Sequence, residues 1–360
     1  MTASSDIPRS RPTGAPSADE APLPLVSVVM VCMDNPAMLA KSLPSIRQHT
    51  SVPCEVLVVA YLFSPENLAL VRQTYPWVRF IESAEIRGFS ENNNLALRQA
   101  RGKYCFVVND DTCWDGPLID GLVACFDRLP PSAAVVSPTI LLPDGSVQAC
   151  GKPPCSLLAH FLHGLCLDRL YRGGARYTNG KGLFQSYNIS GAAFMIKTDV
   201  FREMGWFDER YFFCPEDVAL STQLNRQGYR CYVCEPLRIT HFYGGTNKSS
   251  RVILGTLPAF MRGTVLFYRK FWPRRVPLLV VLLGFNEMWR GLAWLAKWAL
   301  TRDAHARVMA QAHRNALTAL ASGKTPKELF VRYYKGNSDG TAPRPHPDSP
   351  GPAPSRPTSA

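Results

Sequence analysis

Three short strings carry side chains whose types and spacing suit chemistry. Asn109-Asp110-Asp111-Thr112 follows directly on an apolar run, YCFVV at 104–108. Adjacent carboxylates on a tight turn repel one another unless a cation or strong donors lie between them. The pair therefore suits a divalent cation that in turn neutralises phosphate oxygens. The same string also reads as turn or helix-capping acids, because Asp and Asn favour turns. Glu216-Asp217 opens a stretch with helical spacing. A carboxylate there is either a base for a hydroxyl proton or a first-turn acid meeting the helix dipole. His241 follows a strand-like run and precedes Gly244-Gly245, so its imidazole can face a cleft; alone it reads equally as a structural histidine.

The surrounding elements must bring these strings together. Residues 25–32 (LVSVVMVC), 54–61 (CEVLVVAY), 78–82 and 104–108 read as buried strands, rich in β-branched residues as parallel strands are. Helical stretches separate them: 36–48 with Pro36 at its start, 65–75, and 90–100 with Ser90 as the expected cap. Strands alternating with helices predict a mostly parallel sheet covered on both faces. Ligands of such sheets bind beyond the carboxyl ends of the strands, which is where Asp110 and Asp111 fall. No GxGxxG follows an early strand, which argues against a dinucleotide fold. From 130 to 184 the pattern loosens. Further elements are expected at 189–197, 198–204, 216–227 with Gly228 as a stop, and 229–234.

With 360 residues, 46% of them hydrophobic, the chain can fill one large α/β domain and an appendage. Residues 1–22 and 337–360 are rich in Pro, Ser, Ala and Gly and read as disordered tails; the first has no apolar run of the secretory kind. Eleven cysteines are scattered without a disulfide framework. Cys231 and Cys234 form a CxxC with no second pair at zinc-finger spacing, so buried free thiols in a reducing compartment are expected.

The net charge of +12 is concentrated. Between Arg262 and Lys335 stand 14 Lys or Arg against 3 Asp or Glu. Residues 277–285 (PLLVVLLGF) are shorter than the roughly 20 apolar residues of a spanning helix. Extension to Leu300 admits Asn286, Glu287, Arg290 and Lys297. Trp289, Trp294 and Trp298 beside these cations suggest a helix lying among anionic headgroups. Packing against the catalytic part and a single span are the other two readings. Nucleic acid is excluded as a partner by the absence of any recognition motif among the basic residues.

Taken together, VSVVMVCMDN, RGFSENNN, VVNDDT, SGAAFMIKTDVFREMGWFDERYFFCPEDVAL and ITHFYGG resemble the inverting family-two glycosyltransferases of the GT-A fold, in their bacterial rhamnosyltransferase-like branch. The resemblance spans about residues 25–250, with a looser echo in RGTVLFYRKFWPR. It implies an α/β GT-A fold, Rossmann-like with a mostly parallel sheet flanked by helices, at 23–250. A basic, membrane-associating helical segment would follow at 251–336. It places Asp111 and His241 on a divalent metal, and Asn109 and Asp110 beside the donor with Cys32, Asp34, Arg87 and Asn93. Asp217 becomes the base, with Glu216 orienting the acceptor or supporting that base. Ser190 and Gly191 line the sugar pocket, and Trp206 offers an acceptor-side ring.

Three positions depart from the family pattern. Ala60 stands where strand 2 usually ends in Asp, Cys32-Met33-Asp34 replaces Thr-aromatic-Asn, and Glu91 occupies a common Gly position. The implied activity is Mg²⁺- or Mn²⁺-dependent transfer of a sugar, rhamnose first, from a dTDP- or UDP-sugar donor. The acceptor would be a saccharide or lipid-linked saccharide in surface polysaccharide or glycolipid synthesis, made at the inner face of the plasma membrane on an anionic surface. The departures leave a rival, a catalytically silent scaffolding subunit of the same fold. A nucleotidyltransferase would need a Gly- and Lys/Arg-rich first loop, which this chain lacks.

Overall fold

The structure is a computed structural model that describes residues 23–148, 151–152, 154–165, 167, 182–242 and 250–335. The tails expected at 1–22 and 337–360, and Gly244-Gly245, lie outside the described residues.

The N-terminal half alternates as its sequence predicts: β1 (Val26–Met33), α1 (Pro36–Gln48), β2 (Cys54–Tyr61), α2 (Pro65–Thr74), β3 (Arg79–Ser83), α3 (Phe89–Leu97) and β4 (Tyr104–Val108). Successive β1 side chains point to opposite faces. Val28 and Met30 join Leu39 and Leu43 of α1 on one side, while Val29 joins Leu97 of α3 on the other. Burial on both faces is why β1 is apolar along nearly its whole length.

Next come β5 (Thr112–Cys113), α4 (Leu118–Asp127), β6 (Ala133–Leu141), β7 (Val147–Gln148), β8 (Gly151–Lys152) and α5 (Leu157–Gly164). They are followed by β9 (Leu183–Ser186), β10 (Asn188–Ile189), β11 (Ala193–Lys197), α6 (Thr198–Glu203), α7 (Glu216–Arg226) and β12 (Arg230–His241). The single strand expected at 189–197 is two strands, because Ser190-Gly191-Ala192 turns between β10 and β11.

Ten strands form one sheet with the main path β3-β2-β1-β4-β11-β6-β12-β5. The sheet is mixed rather than purely parallel. β3, β2, β1 and β4 run parallel, but β11 enters antiparallel to both β4 and β6. β12 is parallel to β6 and slips register between Cys234 and Arg238. Pro236 lies inside that irregularity, where its missing N–H costs no ladder bond.

α3 starts one residue before its expected cap. Gly88 precedes it, and the Glu91 carboxylate accepts from the Gly88 N–H at 3.0 Å. Ser90 is buried and its hydroxyl caps nothing. Only glycine fits at 88, since an added Cβ would stand 2.3 Å from the Phe212 carbonyl oxygen. Asn94 fastens the other end of this packing: its amide both donates to Phe207 O (2.9 Å) and accepts from Phe207 N (3.1 Å). These buried bonds outweigh the exposed Arg98–Glu209 ion pair beside them, since an exposed pair contributes roughly 0–1 kcal/mol and an orphaned buried group costs about 1–3 kcal/mol.

The remaining helices are α8 (Ser250–Phe271), α9 (Val276–Thr301), α10 (Ala304–Ala321) and α11 (Pro326–Lys335), with a 3₁₀ turn at Pro273–Arg275. They are welded to the sheet domain by two further cores. Tyr211 and Ala219 pack with Met261, Val265, Tyr268 and Leu279. Phe212 packs with Ala259 and Phe330, its ring stacked on Phe330 at 4.4 Å.

Candidate active site

The cation end of the site is built by two strand ends. β4 stops where the Asn109 N–H turns to the Ala192 carbonyl (2.9 Å), and the Thr112 hydroxyl donates back to Asn109 O at 2.8 Å. β12 arrives alongside, with His241 opposite Thr112 in the β5 ladder and the Phe242 N–H donating to Asp111 O at 2.8 Å. This register sets His241 Nε2 3.0 Å from Asp111 Oδ1, both side chains buried. His241 Nδ1 lies 2.7 Å from the Gln148 amide oxygen. With Nδ1–H donating there, Nε2 presents its lone pair to a carboxylate, with the Asn109 amide 3.4 Å away. Two electron-rich atoms so placed fit a cation between them. Among the described residues no three His, Cys, Asp or Glu side chains converge as a cation cage. Asp111 and His241, were they to hold a cation, would leave coordination positions for phosphate oxygens and water.

Asp110 is buried beside this pair. Burial pushes its carboxyl up to about 7, with Asp111 adding to the rise and the adjacent Cys32 thiol opposing it. Burial, and then Asp110, hold the Cys32 thiol well above its ordinary value; its sulfur is also 3.4 Å from Asn35 O.

The structure assigns the other expected donor contacts unequal parts. Asp34 adopts a left-handed conformation (φ 43°), and its Oδ1 accepts from Ser64 N (3.1 Å) and Asn67 Nδ2 (2.9 Å). One oxygen thus secures the start of α2, while Oδ2 has no partner among the described residues. Ala60, the position lacking the usual acid, pairs with Cys32 in the ladder. Arg87 donates to Ser83 Oγ at 3.1 Å and Glu85 at 2.9 Å, with its backbone N–H on the Tyr61 hydroxyl. Asn93 lies inside α3, within the helix expected there; it is buried and its amide donates to Phe89 O at 2.9 Å.

The base end is reached through Ser190-Gly191-Ala192. Ala192 O holds Asn109, and one residue earlier Gly191 N–H donates to Asp217 Oδ2 at 3.0 Å. The missing Gly191 side chain lets that carboxylate lie close, since a Cβ there would already touch Asp217 Cβ at 3.4 Å. Asp217 Oδ1 accepts from Val218 N at 2.7 Å. Ser221, one turn on, donates to Asp217 O and accepts from Ile189 N, stitching α7 to the same turn. Ser190 is buried, its hydroxyl 3.4 Å from Ala192 N. Glu216 is buried as well. Burial, and then Asp217, raise its carboxyl to about 8, and its Oε2 has no hydrogen-bond partner among the described residues. It sits behind Asp217 rather than on an open surface.

Trp206 is the expected residue that these contacts leave out. It follows Gly205 in a left-handed turn, its ring packs edge-on to Phe201 at 5.3 Å, and it lines a separate polar cleft with Glu209, Arg210, Gln223 and Lys270. Two contributors escape motif reading. Gln148, on a two-residue strand in the loosely patterned stretch, lies 2.7 Å from His241 Nδ1. Lys327 of α11 reaches Glu91 at 2.7 Å, so the unusual acid at 91 has a cationic partner 236 residues further along the chain. No local spacing links them.

A mixed sheet with paired acids after its fourth strand, a second acid pair at a helix start and a late His on a returning strand defines a glycosyltransferase of the GT-A fold. Residues 27–205, just under half of the chain, match the model of glycosyl transferase family 2, and this region is a family-2 glycosyltransferase domain. It is 28% identical over 238 residues to the O-antigen biosynthesis protein RfbC of Myxococcus xanthus, covering 64% of this chain and 18% of that protein. It thus spans under a fifth of that relative's length. An N-acetylglucosaminyl-diphospho-decaprenol L-rhamnosyltransferase of Mycobacterium tuberculosis is 24% identical over 280 residues, 72% of this chain and 90% of that one. Among solved structures, GalNAc-T7 with UDP, GalNAc and Mn²⁺ superposes with a TM-score of 0.53 at 14% identity. That match covers 88% of this chain and 56% of the other, and it bears on the fold alone.

Proposed function

We propose that the enzyme transfers rhamnose, with inversion, from a dTDP-linked donor to a lipid-linked saccharide during surface polysaccharide or glycolipid synthesis; a UDP-sugar is the next donor to try. The observation that carries this is the short path from Asn109 to Asp217, a hydrogen bond to Ala192 O, the Gly191-Ala192 peptide link and a hydrogen bond from Gly191 N–H, which supports a base at Asp217 beside a diphosphate near Asn109. The names of the O-antigen and rhamnosyltransferase relatives support the sugar and the acceptor class. Asp217 takes the acceptor hydroxyl proton as that oxygen attacks the anomeric carbon opposite the diphosphate. The carbon–oxygen bond to the diphosphate breaks, and its electron pair leaves with the diphosphate. Glu216 supports Asp217 from behind, its own carboxyl raised above the ordinary range by burial. A Mg²⁺ or Mn²⁺ held by Asp111 and His241 would neutralise the departing diphosphate. Cys32, Asp34, Asn109 and Asp110 flank the donor.

In this reading residues 23–250 are the catalytic unit and 251–336 hold it to the inner face of the plasma membrane. The run Pro273–Thr301 is long and apolar enough to cross a membrane by length and composition. Its polar residues are instead engaged by the protein on one side. Asn286 Nδ2, Trp289 Nε1 and Arg290 Nη2 donate to the carbonyls of His160, Gly164 and His163 at the end of α5. Glu287 is paired with His313 of α10 at 2.7 Å, both buried. Leu278, Val281, Phe285, Met288, Leu292 and Leu295 recur every three or four residues on the exposed side, an apolar ridge that favours lying on a membrane over crossing it.

A thermal-shift screen of UDP, dTDP, GDP and CMP with and without Mn²⁺ tests the donor site. A metal-dependent rise with dTDP is expected, followed by turnover of dTDP-rhamnose; no shift with any nucleotide would sink the proposal. Flotation with anionic vesicles tests the membrane placement, and Val281→Glu/Leu292→Glu should abolish it without lowering Tm.

A further inference from the structure

Between α9 and α10 lies a groove of about 440 Å³. Its α9 wall is apolar, formed by Met288, Leu292, Leu295 and Trp298. The α10 wall adds Leu317 and two guanidinium groups, Arg307 and Arg314, which share a helix face because they stand two turns apart. Arg302 and Arg307 both lie over the Trp298 ring, at 5.2 and 5.9 Å, so cationic charge gathers at one end of an oily slot. That charge is unbalanced. The two acids of 276–321 are already engaged, Glu287 with His313 and Asp303 with Lys297. Arg302, Arg307 and Arg314 have no carboxylate partner among the described residues.

We propose that this groove seats one phosphate-bearing lipid, its phosphate on Arg307 and Arg314 and a chain along Met288, Leu292 and Leu295. The assignment rests on the membrane placement above, because the same α9 residues continue the exposed ridge. Charge decides the occupant. A second copy of this basic chain brings no complementary acid surplus, and inorganic phosphate leaves the apolar wall uncovered. A lipid phosphate satisfies both walls at once, since cations beside an amphipathic helix attract anionic lipid and the Trp298 ring holds Arg307 at the groove.

The test uses the full chain and monomeric dihexanoyl phosphatidylglycerol, with dihexanoyl phosphatidylcholine as the uncharged control. The readout is the emission of Trp298, taken as the difference between the wild type and Trp298→Phe. Saturable binding of the glycerol lipid alone is expected, weakened roughly 30-fold in Arg307→Gln/Arg314→Gln with Tm and nucleotide binding unchanged. Equal responses to the two lipids, an unaffected double variant, or an equal response to inorganic phosphate or an acidic peptide would each overturn the site. Vesicle flotation separates the two ideas. Flotation without selective monomer binding removes the groove and keeps the membrane placement; the opposite pair of results keeps the lipid site and removes the placement.

Discussion

Gly191 and Asp217 are joined by a 3.0 Å bond from a backbone N–H to a carboxylate oxygen, and the next residue, Ala192, holds the first residue of the Asn-Asp-Asp string. Two acidic strings over a hundred residues apart in sequence are therefore spaced by one short turn. This spacing suits the proposed roles of Asp217 as base and of the Asn-Asp-Asp string beside the diphosphate.

Replacing Asp217 by Asn keeps the size and the contact to Gly191 but removes the base. Turnover should fall by ~10²–10⁴-fold, while calorimetric binding of the nucleotide stays within a factor of a few. Near-full turnover would remove Asp217 from the role.

Gln148 acts through His241. Gln148→Leu should weaken Mn²⁺-dependent nucleotide binding by ~10–100-fold, the usual cost of losing an outer partner of a metal-ligating imidazole. Binding in the absence of metal should not change. An equal loss with and without Mn²⁺ would mean the contact is only structural.

Glu216 sets a pH dependence of stability. Its folded value of about 8 lies above its ordinary 4.5, so its contribution is complete below about pH 4.5 and is lost as pH rises through about 8. Glu216→Gln cannot ionise and should escape that loss. The gap in Tm between variant and wild type should widen in the variant's favour by on the order of several degrees from about pH 6 to about pH 9. A constant gap would show that Glu216 ionises normally.

α11 braces the donor side. Phe330→Ala removes the ring stacked on Phe212 and should cost about 3–5 kcal/mol of stability. Lys327→Met removes only the ion pair to Glu91, which costs no more than about 1 kcal/mol. Nucleotide affinity should drop in Phe330→Ala even at temperatures where it remains folded, and barely move in Lys327→Met. Unchanged affinity in both would separate α11 from the donor site.

The parts of this fold legible in sequence are those that local pattern dictates. The runs of β1, β2 and β4 are apolar because they are buried on both faces, and Asp110-Asp111 and Glu216-Asp217 sit where strand end and helix start place them. What escaped depends on partners distant in the chain. The antiparallel entry of β11 follows from a turn at Ser190-Gly191-Ala192 inside an otherwise continuous apolar run. Motif reading names Asn93 and Trp206 without their packing: the Asn93 amide donates to Phe89 O one turn back, and the Trp206 ring lies edge-on to Phe201. The polar residues of α9 argued against a long apolar helix until Asn286, Glu287 and Arg290 found their partners on α5 and α10.

The contact between Lys327 and Glu91 also bears on how the molecule is made. A ribosome delivers residues 25–110 early, and their strands and helices can pair as they emerge. The wall around Gly88, however, cannot be completed until Phe330 has left the exit tunnel. A nascent chain stalled before α11 would therefore carry every acidic side chain of the site without the Phe330 ring that backs Phe212.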